Sequence, residues 1–199
     1  GVRVEPVSRQ KLAQLAEGGV HQGVVLRVAE FSYSELDEVI GKAKSAGRDG
    51  LVLLLDGIED PHNLGALVRS ASAFGAQGVV IAKDRAVGVT PIVVKSSAGA
   101  VAHLPIARVT NLARALGQLK DAGLWAVAAD MSGDRFPDGV DMLTPTVLVV
   151  GNEGQGIRRG ILEACDFKVR IPMSGPIASL NASVAGAILL YEVGRQRRG

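Results

Sequence analysis

The sequence predicts an α/β fold, a mostly parallel sheet flanked by helices, and three observations predict it. Continuous aliphatic runs such as Leu51 to Leu55 recur along the 199 residues, as expected of strands buried on both faces. Segments with helical spacing separate most of those runs, the alternation that builds a parallel sheet. The unusual loops begin after Leu55, Ala129, Val150 and Ile171, at the carboxyl ends of strands, where such sheets bind ligands.

Taken in order, Val24 to Ala29 is an apolar run bounded by Gly23 and Glu30 and predicts a strand. Tyr33 to Ala46 has helical spacing at Leu36, Val39, Ile40 and Ala43 and stops at Gly47. Further strands are expected at Leu51 to Leu55, Val79 to Ala82, Leu104 to Ala107, Leu124 to Ala129 and Val147 to Val150. Helices are expected at Asn63 to Phe74, Pro91 to Ser97, Asn111 to Ala122, Ile157 to Ala164 and Leu180 to Arg195. The last is apolar almost all round, at Val184, Ala185, Ala187, Ile188, Leu189, Leu190 and Val193, so it should be buried. In a domain of this size, that pattern with its small residues predicts burial against a second copy of the chain.

With 47% hydrophobic residues the chain can bury one good core. Lys plus Arg number 22 against 20 Asp plus Glu, a net charge of +2, so a polyanion must be held by a local patch and not by the global field. Cys165 is the single cysteine, which excludes an internal disulfide and fits a reducing compartment. The three histidines have no metal-ligand spacing, and no metal is expected. No apolar run approaches the roughly 20 residues of a membrane span, and no signal peptide opens the chain, so the expected location is cytoplasmic. The polar start around Ser8 to Lys11, without an initiator methionine, suggests the interior of a longer protein.

Three segments carry candidate chemistry. Asp56 to Ala66 leaves a buried strand and enters a helix, with Asp60 suited to capping, Pro61 to the first turn and Gly65 to close packing. Asn63 sits at the helix mouth; Arg69, flanked by small residues, reads as a solvated charge, a packing contact or an anion site. Gly151 to Gly156 matches neither a dinucleotide fingerprint nor a P-loop, and its Glu153 either holds polar substrate atoms or caps a helix. Ser179 reads first as the cap of the last helix, with ligand contact not exclusive of that.

Together these segments resemble the TrmH branch of the SPOUT superfamily of RNA methyltransferases. Asp56 to Gly75, Val147 to Met173 and Ser179 to Glu192 look like its three ordered motifs, with similarity continuing from about Val20. His21-Gln22-Gly23, Asp60 to Gly65 and Arg108 to Arg114 look most like the RlmB-type ribosomal RNA guanosine 2′-O-methyltransferases. The resemblance implies a deep trefoil knot at the C-terminal end, and a catalytic domain over 21–199 preceded by a linker remnant (1–20) of an N-terminal RNA-binding domain.

It also implies that S-adenosylmethionine binds in the knot through backbone groups, with Gly151, Ile171 and Leu180 as main contacts and Ala129 and Met173 nearby. Asn63, Arg69, Glu153, Ser179 and Asn181 match the family's polar active-site positions. Arg69 would clamp phosphate and stabilise the ribose alkoxide, because a guanidinium is a poor proton acceptor. The proton would pass to water, substrate phosphate or Glu153. Ala182 departs from the usual Asn-Val-Ser-Val-Ala, a change of packing more than of chemistry.

The implied activity is ribose 2′-O-methylation of a guanosine in large-subunit (23S) ribosomal RNA. Transfer RNA, an antibiotic-resistance site on ribosomal RNA, or a silent RNA-binding module are alternatives within the fold; a dinucleotide enzyme is disfavoured by the missing fingerprint. The implied partners are RNA and a second subunit, joined through the C-terminal helix and the helix at 63–74, with no membrane. Lys83, Arg85, Lys95, Arg108, Arg158, Arg159, Arg195, Arg197 and Arg198 are the candidate RNA-holding cations.

Overall fold

The computed structural model describes residues 3–16, 19, 21–27, 29–176 and 179–198. The chain divides into two compact units, residues 1–32 and 33–199. In the first, Ser8 caps helix α1 (Arg9–Leu15) by accepting the Lys11 N–H at 3.2 Å. The strand expected over Val24–Ala29 does not form: residues 24–27 and 29 are irregular, while Val28 and Val20 lie outside the described residues. Val24 and Leu26 are exposed, so burial of these side chains does not hold the run extended.

In the second unit the strands are β1 (Leu51–Asp56), β2 (Gly78–Ala82), β3 (Ile106–Val109), β4 (Trp125–Ala129), β5 (Thr146–Gly151) and β6 (Phe167–Val169). Among the described residues they form one parallel sheet in the order β3-β2-β1-β5-β4-β6. Central β1 is buried along its whole length, with Leu53 paired to Val79 on one side and Leu148 on the other. Every strand expected from Leu51 onward forms, with ends shifted by at most two residues. Edge strand β6 was not expected, because three residues are too few to show a period. It is held by pairing to β4, and Asp166 just before it accepts the Ala126 N–H at 2.8 Å.

The helices are α2 (Leu36–Ser45), α3 (Pro61–Ala73), α4 (Pro91–Ser96), α5 (Leu112–Asp121), α6 (Arg159–Ala164) and α7 (Ala182–Arg198). Helix α2 starts three residues later than its spacing suggests, because the Ser34 N–H is drawn to the Ile106 carbonyl at 2.9 Å. One face of the sheet, through Val52, Leu54, Val80, Val147 and Val149, packs on Val39 and Ala43 of α2, Leu116 and Leu119 of α5 and Ile161 of α6. The alternate residues, including Leu53, Leu55, Leu148 and Val150, turn to the opposite face. There α3 packs against both α4 and α7.

Helix α7 is not buried all round within one chain. It buries Ala182, Gly186, Leu189, Leu190 and Val193 but leaves Val184, Ile188 and Tyr191 exposed along one stripe. Its last turn holds the opposite edge of the sheet. The Arg197 guanidinium donates to the carbonyls of Met142, Asp49, Gly50 and Thr144, at 3.1, 2.5, 3.1 and 3.1 Å. Burial lowers its pKa from the ordinary value, and this cation is structural rather than available to RNA.

Gly65 fulfils the packing role expected of it: a Cβ there would fall on Ser96 of α4 and lie 3.0 Å from the Ser97 backbone nitrogen. Gly65→Ala is therefore expected to destabilise the chain by about 1–3 kcal/mol, measured as a lowered urea midpoint with an unchanged slope.

Candidate active site

The site is built on the loop that leaves β5. Asn152 and Gly156 exchange backbone hydrogen bonds of 3.2 and 2.8 Å, closing the loop on itself. A Cβ at Gly151 would collide with the backbone of Gly156 and Ile157, and Gly156 has φ +67°. The glycines thus serve the turn, while Asn152 locks it: Oδ1 accepts the Gly154 and Gln155 N–H groups at 2.7 and 3.3 Å, and Nδ2 donates to the Gly57 carbonyl at 2.8 Å. The far end of the loop is fixed by Asp56, only 1% exposed. Its Oδ2 accepts the Arg158 N–H at 2.8 Å, and its Oδ1 accepts Arg158 Nε at 2.8 Å and Nη2 at 2.7 Å.

That lock presents Glu153 to two helix starts. Helix α3 begins at Asp60, whose carboxylate accepts the His62 N–H at 2.9 Å, with Pro61 in the first turn, and this brings Asn63 to the sheet edge at 7% exposure. Helix α7 begins at Asn181, whose Oδ1 accepts the Ser183 and Val184 N–H groups at 2.9 and 3.2 Å. Glu153 Oε1 accepts from Asn63 Nδ2 at 2.9 Å, Asn181 Nδ2 at 2.5 Å and the Ala182 N–H at 3.1 Å. Asn181 Nδ2 also donates to Asn63 Oδ1 at 2.9 Å, closing a polar triangle.

Beside the triangle lies a cavity of about 330 Å³, within the usual size of a small-molecule site. Val150, Val169, Ile171 and Leu180 give it apolar walls, and the 151–156 backbone gives it a polar rim. Gly151, Ile171, Leu180, Met173 and Ala129, the expected cofactor contacts, all line it, as do Glu153 and Ser179. So does Asp130, which the sequence reading passed over although it directly follows β4. Its Oδ1 accepts the Ser132 N–H at 2.8 Å. The described lining contains these two carboxylates and no Lys, Arg or His.

Two expected site residues stand differently. Ser179 is exposed and does not cap α7; Asn181 does, because the helix starts two residues later than its apolar pattern. Arg69 is exposed on α3, outside the cavity, and makes no hydrogen bond or ion pair among the described residues. Six residues from Asn63, it points to a different azimuth of the helix. Several candidate RNA cations are also engaged: Arg158 by Asp56, Arg159 by Glu163, Arg195 by Glu192, and Arg108 by the Lys83 carbonyl and the Tyr33 ring. Cys165 is no nucleophile, since burial pushes its thiol up to about 12. No group of metal-ligating side chains converges among the described residues, and no helix there is long and apolar enough to cross a membrane.

The family model for SpoU rRNA methylases matches residues 50–191, which include the loop after β5, both helix starts and the whole sheet. The chain belongs to the SpoU methylase family. A second model, for the substrate-binding part of RNA 2′-O-ribose methyltransferases, matches residues 1–34 of this SpoU chain, nearly the span of the first unit. YacO of Bacillus subtilis, described as a TrmH family tRNA/rRNA methyltransferase, is 48% identical over 197 residues, 99% of this chain and 79% of that protein. A tRNA/rRNA methyltransferase of Mycolicibacterium gilvum is 48% identical over 198 residues, and the chain spans 63% of its length. The crystal structure of the SpoU methyltransferase AviRb from Streptomyces viridochromogenes superposes with a TM-score of 0.76 at 34% identity, covering 85% of this chain and 66% of that one. AviRb has also been solved in complex with AdoMet, and that structure superposes with a TM-score of 0.71.

The SpoU domain is an S-adenosylmethionine-dependent RNA 2′-O-ribose methyltransferase domain, and the cavity fits that donor. S-adenosylmethionine carries a sulfonium and an ammonium charge, which suit a lining with Asp130 and Glu153 and no cation. Its adenine suits the aliphatic walls and the exposed backbone groups of the glycine loop. Gly151→Ala, which forces a Cβ into the loop backbone, is expected to weaken S-adenosylmethionine binding at least about tenfold by calorimetry.

Proposed function

We propose that this protein transfers the methyl group of S-adenosylmethionine to the ribose 2′-hydroxyl of a guanosine in large-subunit (23S) ribosomal RNA, in the manner of RlmB-type enzymes, in the cytoplasm. The observation that carries this reading is the Asn63–Glu153–Asn181 triangle at the rim of an acid-lined cavity. The rRNA methylase model and the substrate-binding match over residues 1–34 support an RNA target. Transfer RNA is the second reading, favoured by the joint tRNA/rRNA description of YacO. Tritiated methyl transfer to bulk ribosomal and transfer RNA, followed by nuclease mapping, separates the two; label on a base instead of a ribose would overturn the reaction.

In this reading Gly151, Ile171, Leu180, Met173 and Ala129 hold the methyl donor. The amides of Asn63 and Asn181, oriented by Glu153, position the substrate ribose with Ser179 on the open side of the cavity. Glu153 Oε2 makes no hydrogen bond among the described residues and is the oxygen offered to the departing proton. The trefoil knot, threading of the segment after β6 through the loop after β5, comes to this reading from the family resemblance; the bonds that tie Glu153 to Asn181 and Ala182 bring those two segments side by side.

The active form is a homodimer paired through α3 and α7. Val184, Ile188 and Tyr191 form an exposed apolar stripe, and Tyr191 packs edge-on against Phe74 at the end of α3, with ring centroids 6.1 Å apart. Arg69 lies on α3, exposed and unpaired among the described residues, while the other polar candidates gather elsewhere. Pairing of α3 and α7 across the dimer brings Arg69 to the partner's site, where its fork clamps phosphate and stabilises the alkoxide.

Light scattering at micromolar concentration is expected to give a dimer; a monomer would sink this arrangement. Arg69→Lys is expected to lower kcat by at least about tenfold in methyl-transfer assays, because an ammonium cannot replace the bidentate fork. Mixing Arg69→Ala with Glu153→Ala chains is expected to restore roughly a quarter of wild-type activity, since half the dimers are then mixed and each rebuilds one site of two. No recovery on mixing would place Arg69 in its own chain's site.

A further inference from the structure

A second cavity, of about 500 Å³, opens at the same carboxyl edge of the sheet, beside the ends of β2 and β3. Its polar lining includes Arg85 from the loop after β2, Arg158 from the turn before α6, and Thr110 and Asn111 from the loop after β3. Arg158 is held in one orientation because its N–H, Nε and Nη2 are all bonded to buried Asp56. Its Nη1 has no partner among the described residues, so a fixed donor edge is left for a ligand. Asn111 offers a further donor, because its Oδ1 is occupied by the Arg114 N–H at 3.0 Å and its amide nitrogen is not.

Arg85 has φ +55°, a backbone conformation that glycine adopts without cost and arginine does not. Its loop is pinned there by the Val87 N–H, which donates to the Ile58 carbonyl at 2.9 Å. The side chain makes no hydrogen bond or ion pair among the described residues. A strained, unpaired arginine lining the same cleft as a pre-oriented one is a fork-donor arrangement suited to a tetrahedral oxyanion. Asp84 is the carboxylate in the lining, and its exposed side chain tempers the site's charge.

The cavity is joined to the methyl-transfer site by backbone. A Cβ at Gly57 would lie 4.0 Å from the Arg85 carbonyl oxygen and 3.6 Å from Asn152 Cβ, and the Gly57 carbonyl is bonded by Asn152, the neighbour of Glu153. We propose that this cleft is a subsite for a backbone phosphodiester of the RNA strand flanking the reacting ribose, bound by Arg85 and Arg158. The proposal rests on the RNA methyltransferase reading above and assigns to that substrate a contact outside the methyl-donor cavity. Phosphate contacts of this kind set the register of a strand without reading its bases.

The test is fluorescence anisotropy of a short labelled single-stranded RNA on the full 199-residue chain, titrated over a range of salt. Arg85→Glu is expected to weaken binding about tenfold near 0.1 M salt and to flatten the slope of log affinity against log salt by about 0.7, one single-strand phosphate contact. Arg85→Gly, which relieves the backbone conformation, is expected to weaken RNA binding in the same direction without lowering the melting temperature. Asp84→Asn is expected to tighten binding. Calorimetry with S-adenosylmethionine on the same samples reports that the fold is intact. Wild-type affinity and salt slope in both Arg85 variants would overturn the subsite and leave the activity standing. Absence of RNA binding by the wild-type chain, with no methyl transfer to any RNA, would overturn the activity itself and the subsite with it.

Discussion

The carboxylate of Glu153 is the interaction on which the rest of the site depends. One oxygen accepts from Asn63 at the start of α3, from Asn181 at the cap of α7 and from the first backbone N–H of α7. These donors lie 90, 28 and 29 residues from it along the chain, so the carboxylate ties together segments that have no local reason to meet. Hydrogen bonds to a charged group contribute about 1.5–3 kcal/mol each, and removing the acceptor leaves several partly buried donors unpaired at once. Its negative charge also sits at the amino end of α7, where the helix dipole favours it.

Glu153 can do this because the loop that carries it is rigid. Asn152 closes the loop from inside and bonds it to Gly57, while buried Asp56 grips Arg158 at its far end. These two side chains do no chemistry themselves; they remove the freedom that would otherwise blur the position of Glu153. The same rigidity shapes two neighbouring cavities of opposite character, one lined by Asp130 and Glu153 and the other by Arg85 and Arg158. A cationic methyl donor and an anionic strand are thereby offered separate places along one sheet edge.

Much of the fold was legible because burial writes itself into composition. The central strands, buried on both faces, had to be continuous aliphatic runs, and Leu51–Leu55 and Val147–Val150 appear as such. The run at Val24–Ala29 is interrupted by Arg27 and its described residues are irregular, while β6 joins the sheet with too few residues to declare itself. Helix α7 showed its apolar character plainly, yet which side faces its own sheet and which stays open is a matter of packing against Leu67 and Val150.

By itself the sequence determined the α/β class, the five longer strands, the family motifs and most of the residues gathered at the cavity, because these follow from local composition and ordered spacing. Only the tertiary structure decided how those residues are used. It made Asn181 rather than Ser179 the helix cap, set Asp130 in the cavity wall, spent Arg197 on internal bonds, oriented Arg158 through Asp56, and left Arg69 apart from the triangle. The physical reason is that hydrogen bonds and ion pairs are short-ranged and directional, so residues 28 to 148 positions apart choose partners only after the strands have paired and the helices have docked.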